Sequence, residues 1–332
     1  MTSHILSRRH ALGLFGASAL LHAAPTAWAQ ADNFPTRPIR LVVPAPPGGG
    51  TDLIARVVAE HWGQALGQPV VIANIGGAAG SVGSAAVARA APDGYTLLLH
   101  TTSLPITSVT QTGLSYDPLT SFVPISLVCK FPFVLVVPAD TPAKNLREFI
   151  AMAKAQPGKN SYGSSGYGGV GHLISEYFTK AAGVQMLHVP YKGNGPALVD
   201  LMGGRLSMLF DGVPPMRSHI EGGKVRALAV TSEGRSSVLP QVPTMAEGGL
   251  AGFNLSFWQG VFAPAGTPPA AIARLASSVQ QVMKKPEVVA KMKEFGADAV
   301  GSTPAELGKT LRDEVQVYRK IVADADIKVG NQ

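Results

Sequence analysis

The chain holds a single cysteine, Cys129, which excludes an internal disulfide. Only 15% of its residues are charged and only 7% are aromatic. The formal net charge is +7, yet no basic run long enough to follow a phosphate backbone occurs. A nucleic-acid partner is therefore not expected. No apolar run reaches the roughly 20 residues that a membrane-spanning helix needs. Several chemical signatures are also missing. A G-x-S-x-G elbow fails at Tyr167 in Gly163-Ser164-Ser165-Gly166-Tyr167, and neither a Walker loop nor an H-E-x-x-H pair is present. His172 and Glu176 stand one helical turn apart, but two ligands do not make a zinc site. His100, His188 and His219 are scattered among apolar residues and read as hydrogen-bonded structural histidines. Nothing assembles a nucleophile, a base and an oxyanion hole, so no catalytic residue, metal or cofactor is expected.

What is present is apolar and well punctuated. Hydrophobic residues make up 46% of 332, enough for a large core and for two domains. The N-terminus has a twin arginine (Arg8-Arg9), an apolar stretch from Ala11 to Leu21, and a small-residue site at Ala27-Trp28-Ala29. That is the layout of an export signal over residues 1–29, compatible with the Tat or the Sec route. No cysteine follows the signal, so no lipid anchor is expected, and a periplasmic location fits an exported protein without one. Cys129 lies in the apolar run VPISLVCKFPFVLVV and reads as a buried core thiol.

Short apolar runs alternate with helical segments for most of the length. IRLVVPA, QPVVIAN, YTLLLHT, FVLVVPA, LHVPY, LSMLFDG, VRALAVTS and SFWQGVFAP read as strands, with amphipathic helices between them. The pattern predicts an α/β fold, each lobe a mixed sheet flanked by helices. Pro269, Pro286 and Pro304 stand at the starts of three C-terminal helices. SLVCKFPFVLVV and NLSFWQGVFAPAG read as two crossings between lobes. The expected division is residues 30–130 with 257–332 as lobe one and 131–256 as lobe two, the C-terminal helices returning to lobe one.

Two glycine-rich loops open helices. In VVPAPPGGGTDLIAR, three glycines precede a helix whose first N–H groups form an anion site, with Thr51 or Asp52 available as caps. A tight turn that binds nothing is the competing reading, but three glycines exceed what a turn requires. The second loop runs Gly163 to Gly171, where Gly166, Gly168 and Gly171 fit G-x-G-x-x-G. A dinucleotide site is disfavoured, because KNSYG is a poor buried strand and Asp200 is too distant for the ribose partner.

FPTRPIRLVVPAPPGGGTDLIAR, ARAAPDGYTLLLHT, YGSSGYGGVGHL, HVPYKGNGPALVDLMGGRLSMLFDG and FWQGVFAPAGTPPAAIARL together carry a resemblance across the whole chain after the signal. The sequence resembles the Bug family, the periplasmic solute-binding proteins of tripartite tricarboxylate transporters. The resemblance implies a two-lobed, type II-like periplasmic binding protein and a small carboxylate ligand: a dicarboxylate, tricarboxylate, amino acid or aromatic acid. It also implies a monomer whose partners are transporter membrane subunits or a sensor protein. The ligand's carboxylate would be gripped by Pro46, Gly48, Gly49, Thr51 and Asp52 in the first loop and by Ser164, Ser165 and Gly166 in the second. Asn194, Pro196 and Asp211 are carried over with them, and Ser103 is a further candidate for ligand contact. The chain departs from the pattern at Ile75 and in HTTSLPITSVTQTGLSYD, so the ligand's identity does not follow from the resemblance. An exported enzyme or sensory receptor on the same scaffold is the alternative.

Overall fold

The computed structural model describes residues 34–325 and 327. The export signal and the start near Gln30 lie outside the described residues. The chain runs from β1 (Ile39–Val43) through α1 (Gly50–Leu66), β2 (Val70–Asn74), a single 3-10 turn (Ala78–Gly80) and α2 (Ser81–Ala88) to β3 (Thr96–Thr101) and α3 (Ser103–Thr110). A 17-residue strand, β4 (Phe122–Pro138), follows. Then come α4 (Leu146–Ala155), β5 (Asn160–Ser164), α5 (Val170–Ala182), β6 (Met186–Pro190), α6 (Asn194–Met202), β7 (Met208–Gly212), α7 (Val213–Glu221) and β8 (Val225–Val230). The last elements are β9 (Ser256–Pro264), α8 (Pro269–Val282), α9 (Pro286–Glu294), the short β10 (Asp298–Ala299) and α10 (Pro304–Asp324).

The strands form two sheets that share β4. In the first, β2, β1 and β3 are parallel, and β9, β4 and β10 continue it with antiparallel pairings. In the second, the order is β8-β4-β7-β5-β6, with β7, β5 and β6 parallel. Phe122 to Pro132 pair with β9, and from Phe133 onward the same strand pairs with β7 and β8. The crossing therefore falls between Pro132 and Phe133. The returning crossing is at Leu255, whose N–H donates to Thr231 while Ser256 already pairs with Pro132. Thr231 fastens both crossings: its hydroxyl donates to the Leu255 carbonyl (2.5 Å) and accepts from the Phe133 N–H (3.0 Å).

Burial follows the sequence pattern. Leu97, Leu98 and Leu99 of β3 and Val134 to Val137 of β4 are fully buried, as strands covered on both faces must be. Trp62 of α1 is fully buried and donates to Ser278 Oγ at 2.7 Å, which fixes α1 on α8. Cys129 is buried as expected, and burial pushes its thiol up to about 12. Pro269, Pro286 and Pro304 each begin their helix, where a missing N–H leaves nothing unpaired. The C-terminal α10 lies along α3 and β4, while its Tyr318 and Ile321 join the core that includes Phe149 and Phe178.

One expectation is overturned. The stretch read as a poor buried strand is β5, central in the second sheet between β6 and β7. Its lack of aliphatic residues hid it. Tyr162 supplies the bulk, fully buried, and Gly163 leaves room that a Cβ would take from Leu206, at 2.7 Å. Helix α3 was not foreseen either, because Pro105 interrupts its sequence. Pro105 falls in the first turn, where the helix does not need its N–H.

Candidate functional site

The first glycine loop joins the end of β1 to α1. Its N-cap is Gly49, and no side chain caps the helix start. This corrects the expectation for Thr51 and Asp52. Asp52 instead reaches back: Oδ2 accepts from the Gly48 N–H (2.9 Å) and Arg56 Nε (2.8 Å), and Oδ1 accepts from Asn74 Nδ2 (2.9 Å). The carboxylate is only 1% exposed. Burial alone would raise its pKa, but the bonds from Arg56, Gly48 and Asn74 prevail and hold it at about 2. Asp52 is thus an anion at neutral and mildly acid pH, and it ties the loop to α1 and β2. The first intrahelical bond runs from the Leu53 N–H to Gly49. The N–H groups of Gly50, Thr51 and Asp52 precede it and have no acceptor within the helix.

The glycines of this loop divide by need. Gly48 has φ +80°, a conformation that side chains resist. Gly49 has φ −75°, and a Cβ there would meet nothing closer than the Pro46 carbonyl at 3.5 Å. At Gly50 a Cβ would meet nothing within 4 Å. The fold therefore does not require glycine at 49 or 50. What the missing side chains do is leave the helix start open.

A cavity of about 400 Å³ lies against this loop. Pro46, Thr51 and Ser103 line it, as do His100, Phe257 and the turn Gly76–Gly80. That turn escaped the sequence reading. Gly77, Ala78, Ala79 and Gly80 all have positive φ, and for the two alanines this is a strained conformation. The signal available was the pair of glycines on either side of two alanines just after a strand. His100 is buried with its ring against Gly80, and burial draws its pKa down to about 4 in spite of a backbone hydrogen bond at Thr101.

The second glycine loop, after β5, is held differently. His188 and His172 stack with ring centroids 3.9 Å apart, and Tyr162 stacks on His188. His188 Nε2 lies 2.7 Å from Ser164 Oγ, which also accepts from the Gly166 N–H. The Gly168 N–H donates to His172 Nδ1 at 3.0 Å. Tyr162 donates to Glu176, whose Oε1 is 3.9 Å from His172 Nε2. Burial lowers both imidazoles to about 4, and for His172 the neighbouring His188 adds to it. Two neutral rings thus hold this loop. Helix α5 begins at Gly169, again with no side-chain cap.

The structure also explains why the G-x-G-x-x-G spacing is not a dinucleotide loop, although a strand does precede it. The N–H groups of Gly166 and Gly168 are turned inward to Ser164 and His172. Asp200 is engaged by Tyr191 and by two nitrogens of Arg205.

The remaining expected residues lie on the second sheet's side. Ser165 and Pro196 are exposed, the latter in the first turn of α6. Asn194 and Asp211 are paired. Burial lifts the Asp211 carboxyl to about 6, against hydrogen bonds from the Gly212 N–H and Asn194. Asn194 Oδ1 is buried without a partner. Ser164, Ser165, Gly166, Asn194, Pro196 and Asp211 do not line the cavity at the first loop. The structure so brings together Pro46, Thr51 and Ser103 on one side and Asn194 and Asp211 on the other. Among the described residues, no three His, Cys, Asp or Glu side chains gather as a metal site, and no helix is long and apolar enough to cross a membrane.

The family described as tripartite tricarboxylate transporter family receptor matches residues 54–327. BugT of Bordetella pertussis is 40% identical over 324 residues, covering 96% of this chain and 97% of its own. The solved structure of the periplasmic binding protein BugD is 36% identical, with a TM-score of 0.71 over 89% of this chain and 99% of that one. An R. palustris protein solved with adipate is 33% identical, with a TM-score of 0.75 and the same coverage of 89% and 99%. The resemblance read from the sequence and the two-lobed α/β fold are both borne out. The chain belongs to the tripartite tricarboxylate transporter receptor family.

Proposed function

We propose that this protein is a periplasmic receptor that captures a small carboxylate between two lobes and passes it on unchanged. The recipient would be the membrane subunits of a tripartite tricarboxylate transporter or a sensor protein. The observation that carries the reading is the open backbone at the start of α1. Helices α1 and α5 follow Gly49 and Gly169 with no side-chain cap, as most of the described helices do, but at α1 the N-cap Gly49 and the first residue Gly50 are both glycine and Thr51 lines the cavity. Uncapped N–H groups and the helix dipole suit a carboxylate. The backbone there does not itself require glycine at 49 or 50.

The lobes of the proposal are residues 30–130 with 257–332 and residues 131–256. The strand crossings at Pro132–Phe133 and Leu255–Ser256 support rotation of one lobe on the other. Closure would carry Ser165 and the start of α5 toward the cavity at the first loop, with the Asn194–Asp211 pair behind them. The adipate-bound relative supports the carboxylate class.

A thermal-shift screen of carboxylates tests this. A ligand specific to the native state adds about 2.7 kcal/mol at a hundred times its dissociation constant, so a bound acid raises the melting temperature clearly. Mass spectrometry should then recover that acid unaltered, and small-angle scattering should show a smaller radius of gyration with it. A library in which no carboxylate shifts the melt would overturn the reading, as would a bound acid recovered as a different product.

A further inference from the structure

A second cavity, of about 560 Å³, adjoins the first. Thr51 and Phe257 line both. Its walls are apolar: Ile54, Phe131, Pro214, Pro215, Phe257 and Phe295. Phe131 and Phe257 are only partly buried and stack on each other, with centroids 4.6 Å apart and ring planes 19° apart. They stand where β4 and β9 pair, next to the crossings. Apolar walls of this kind gain free energy when an apolar body displaces water from them.

The charge pattern argues against a second carboxylate in this cavity. Arg217 is on its lining but is paired with Glu221 at 2.8 Å. Glu294 is there too, paired with Lys291 at 2.6 Å. An anion placed among them would meet the Glu294 carboxylate, and the charge of Arg217 is offset by Glu221, bonded through Nε. A further polar group lines the cavity. Gln259 is 1% exposed, and its Oε1 is buried with no hydrogen-bond partner. Buried amide oxygens are nearly always paired, so this one marks a place for a donor.

We infer that this cavity receives the body of the ligand, and that the ligand is an aromatic monocarboxylate carrying a hydroxyl donor on its ring. The carboxylate lies at the uncapped start of α1 beside Thr51. The ring stacks on the Phe131–Phe257 wall, and its donor reaches the Gln259 amide. The inference rests on the carboxylate reading above and narrows it from an acid of any kind to this class.

Calorimetric titration with the three hydroxybenzoates, benzoate and adipate tests it. The expected result is that at least one hydroxybenzoate binds about tenfold more tightly than adipate, the scale of one good aromatic contact. Gln259→Leu should erase the preference for that hydroxybenzoate over benzoate while leaving benzoate bound. Phe131→Leu, which keeps an apolar wall but removes the stack, should weaken the aromatic acids and leave adipate unchanged. Adipate binding more tightly than every aromatic acid would overturn the inference and leave the carboxylate receptor standing. A hydroxybenzoate preference untouched by Gln259→Leu would overturn the assigned pose. Failure of all five acids, in a protein whose melt another carboxylate raises, would overturn the aromatic class alone.

Discussion

The two glycine loops look alike in sequence, yet opposite chemistries hold them. A buried carboxylate anchors the first: Asp52 stays charged because Gly48, Arg56 and Asn74 all donate to it. Two stacked imidazoles anchor the second, and they accept and donate as neutral rings. The first anchor is strengthened by charge, the second would be broken by it. One loop is therefore indifferent to mild acid and the other is not. The difference teaches that a glycine loop's sequence tells where the backbone is exposed, while its stiffness is set by side chains that lie under it.

The largest expected effect comes from removing the charged anchor. Asp52→Ala leaves the Gly48 N–H without its acceptor and the Asn74 amide with only the Ala45 carbonyl, and urea denaturation should show a loss of about 2 to 3 kcal/mol, the scale of hydrogen bonds to a charged group. Arg56 is half exposed, so its share of the pair is screened and adds little. A loss no larger than that of an exposed alanine substitution would mean that Asp52 does not hold the loop.

Acid should then separate the loops. His172 and His188 sit at about 4 when folded and at 6.5 ordinarily, so the unfolded chain binds more protons between those values. Their contribution to stability falls as the pH drops from 6.5 toward 4. For Asp52, with about 2 folded and 3.8 ordinarily, the corresponding loss comes only between about 4 and 2. Asp211, raised to about 6, acts in the opposite direction between 3.8 and 6, which is why a global melt is a poor probe. Amide exchange read residue by residue is a better one. Protection at Gly168 should decline before protection at Gly48, and the two declining together would dissolve the distinction.

A smaller effect is expected within the second loop. His172→Ala should speed exchange of the Gly168 amide about tenfold, as for one lost hydrogen bond. His172→Asn, whose Oδ1 can stand in for Nδ1, should recover most of the protection. An equal acceleration in both variants would point to packing instead of the hydrogen bond. Smallest of all, Ser165→Ala should weaken carboxylate binding by about 1 kcal/mol, since Ser165 is exposed and offers a single hydroxyl. Gly166 is no substitute for this test, because its φ of +131° admits no side chain without strain.

Much of the fold was legible because its strands are apolar runs and its helices have clear starts. Ile39 to Val43 and Thr96 to Thr101 could hardly be anything but buried strands, and prolines mark α8, α9 and α10. β5 was not legible, since its burial comes from Tyr162 and its neighbours in space, not from a run of aliphatics. The first loop was visible as open backbone at a helix start, but the work of Asp52 was not. Its partner Asn74 is 22 residues away, a contact that no local pattern reveals. His172 and His188 likewise looked like separate structural histidines, because only the sheet brings their rings face to face. The Gly76–Gly80 turn lines the cavity but carries no polar side chain that would mark it in the sequence.

The central claim is that the start of α1 is left uncapped for the ligand's carboxylate, and Gly49→Ser puts it to the most direct measurement. Gly49 has φ −75° and ψ 164°, an extended conformation that serine adopts easily, and there is room for its Cβ. A serine hydroxyl there would bond the same N–H groups that the carboxylate needs, and it would stabilise the free protein by a few tenths of a kcal/mol, roughly the gain of serine over glycine at an N-cap. The predicted result is a melting temperature unchanged or slightly raised in the free protein, with affinity for the screened carboxylate reduced about tenfold or more by calorimetry. An intact melt with undiminished affinity would contradict the claim and return this loop to the status of a turn.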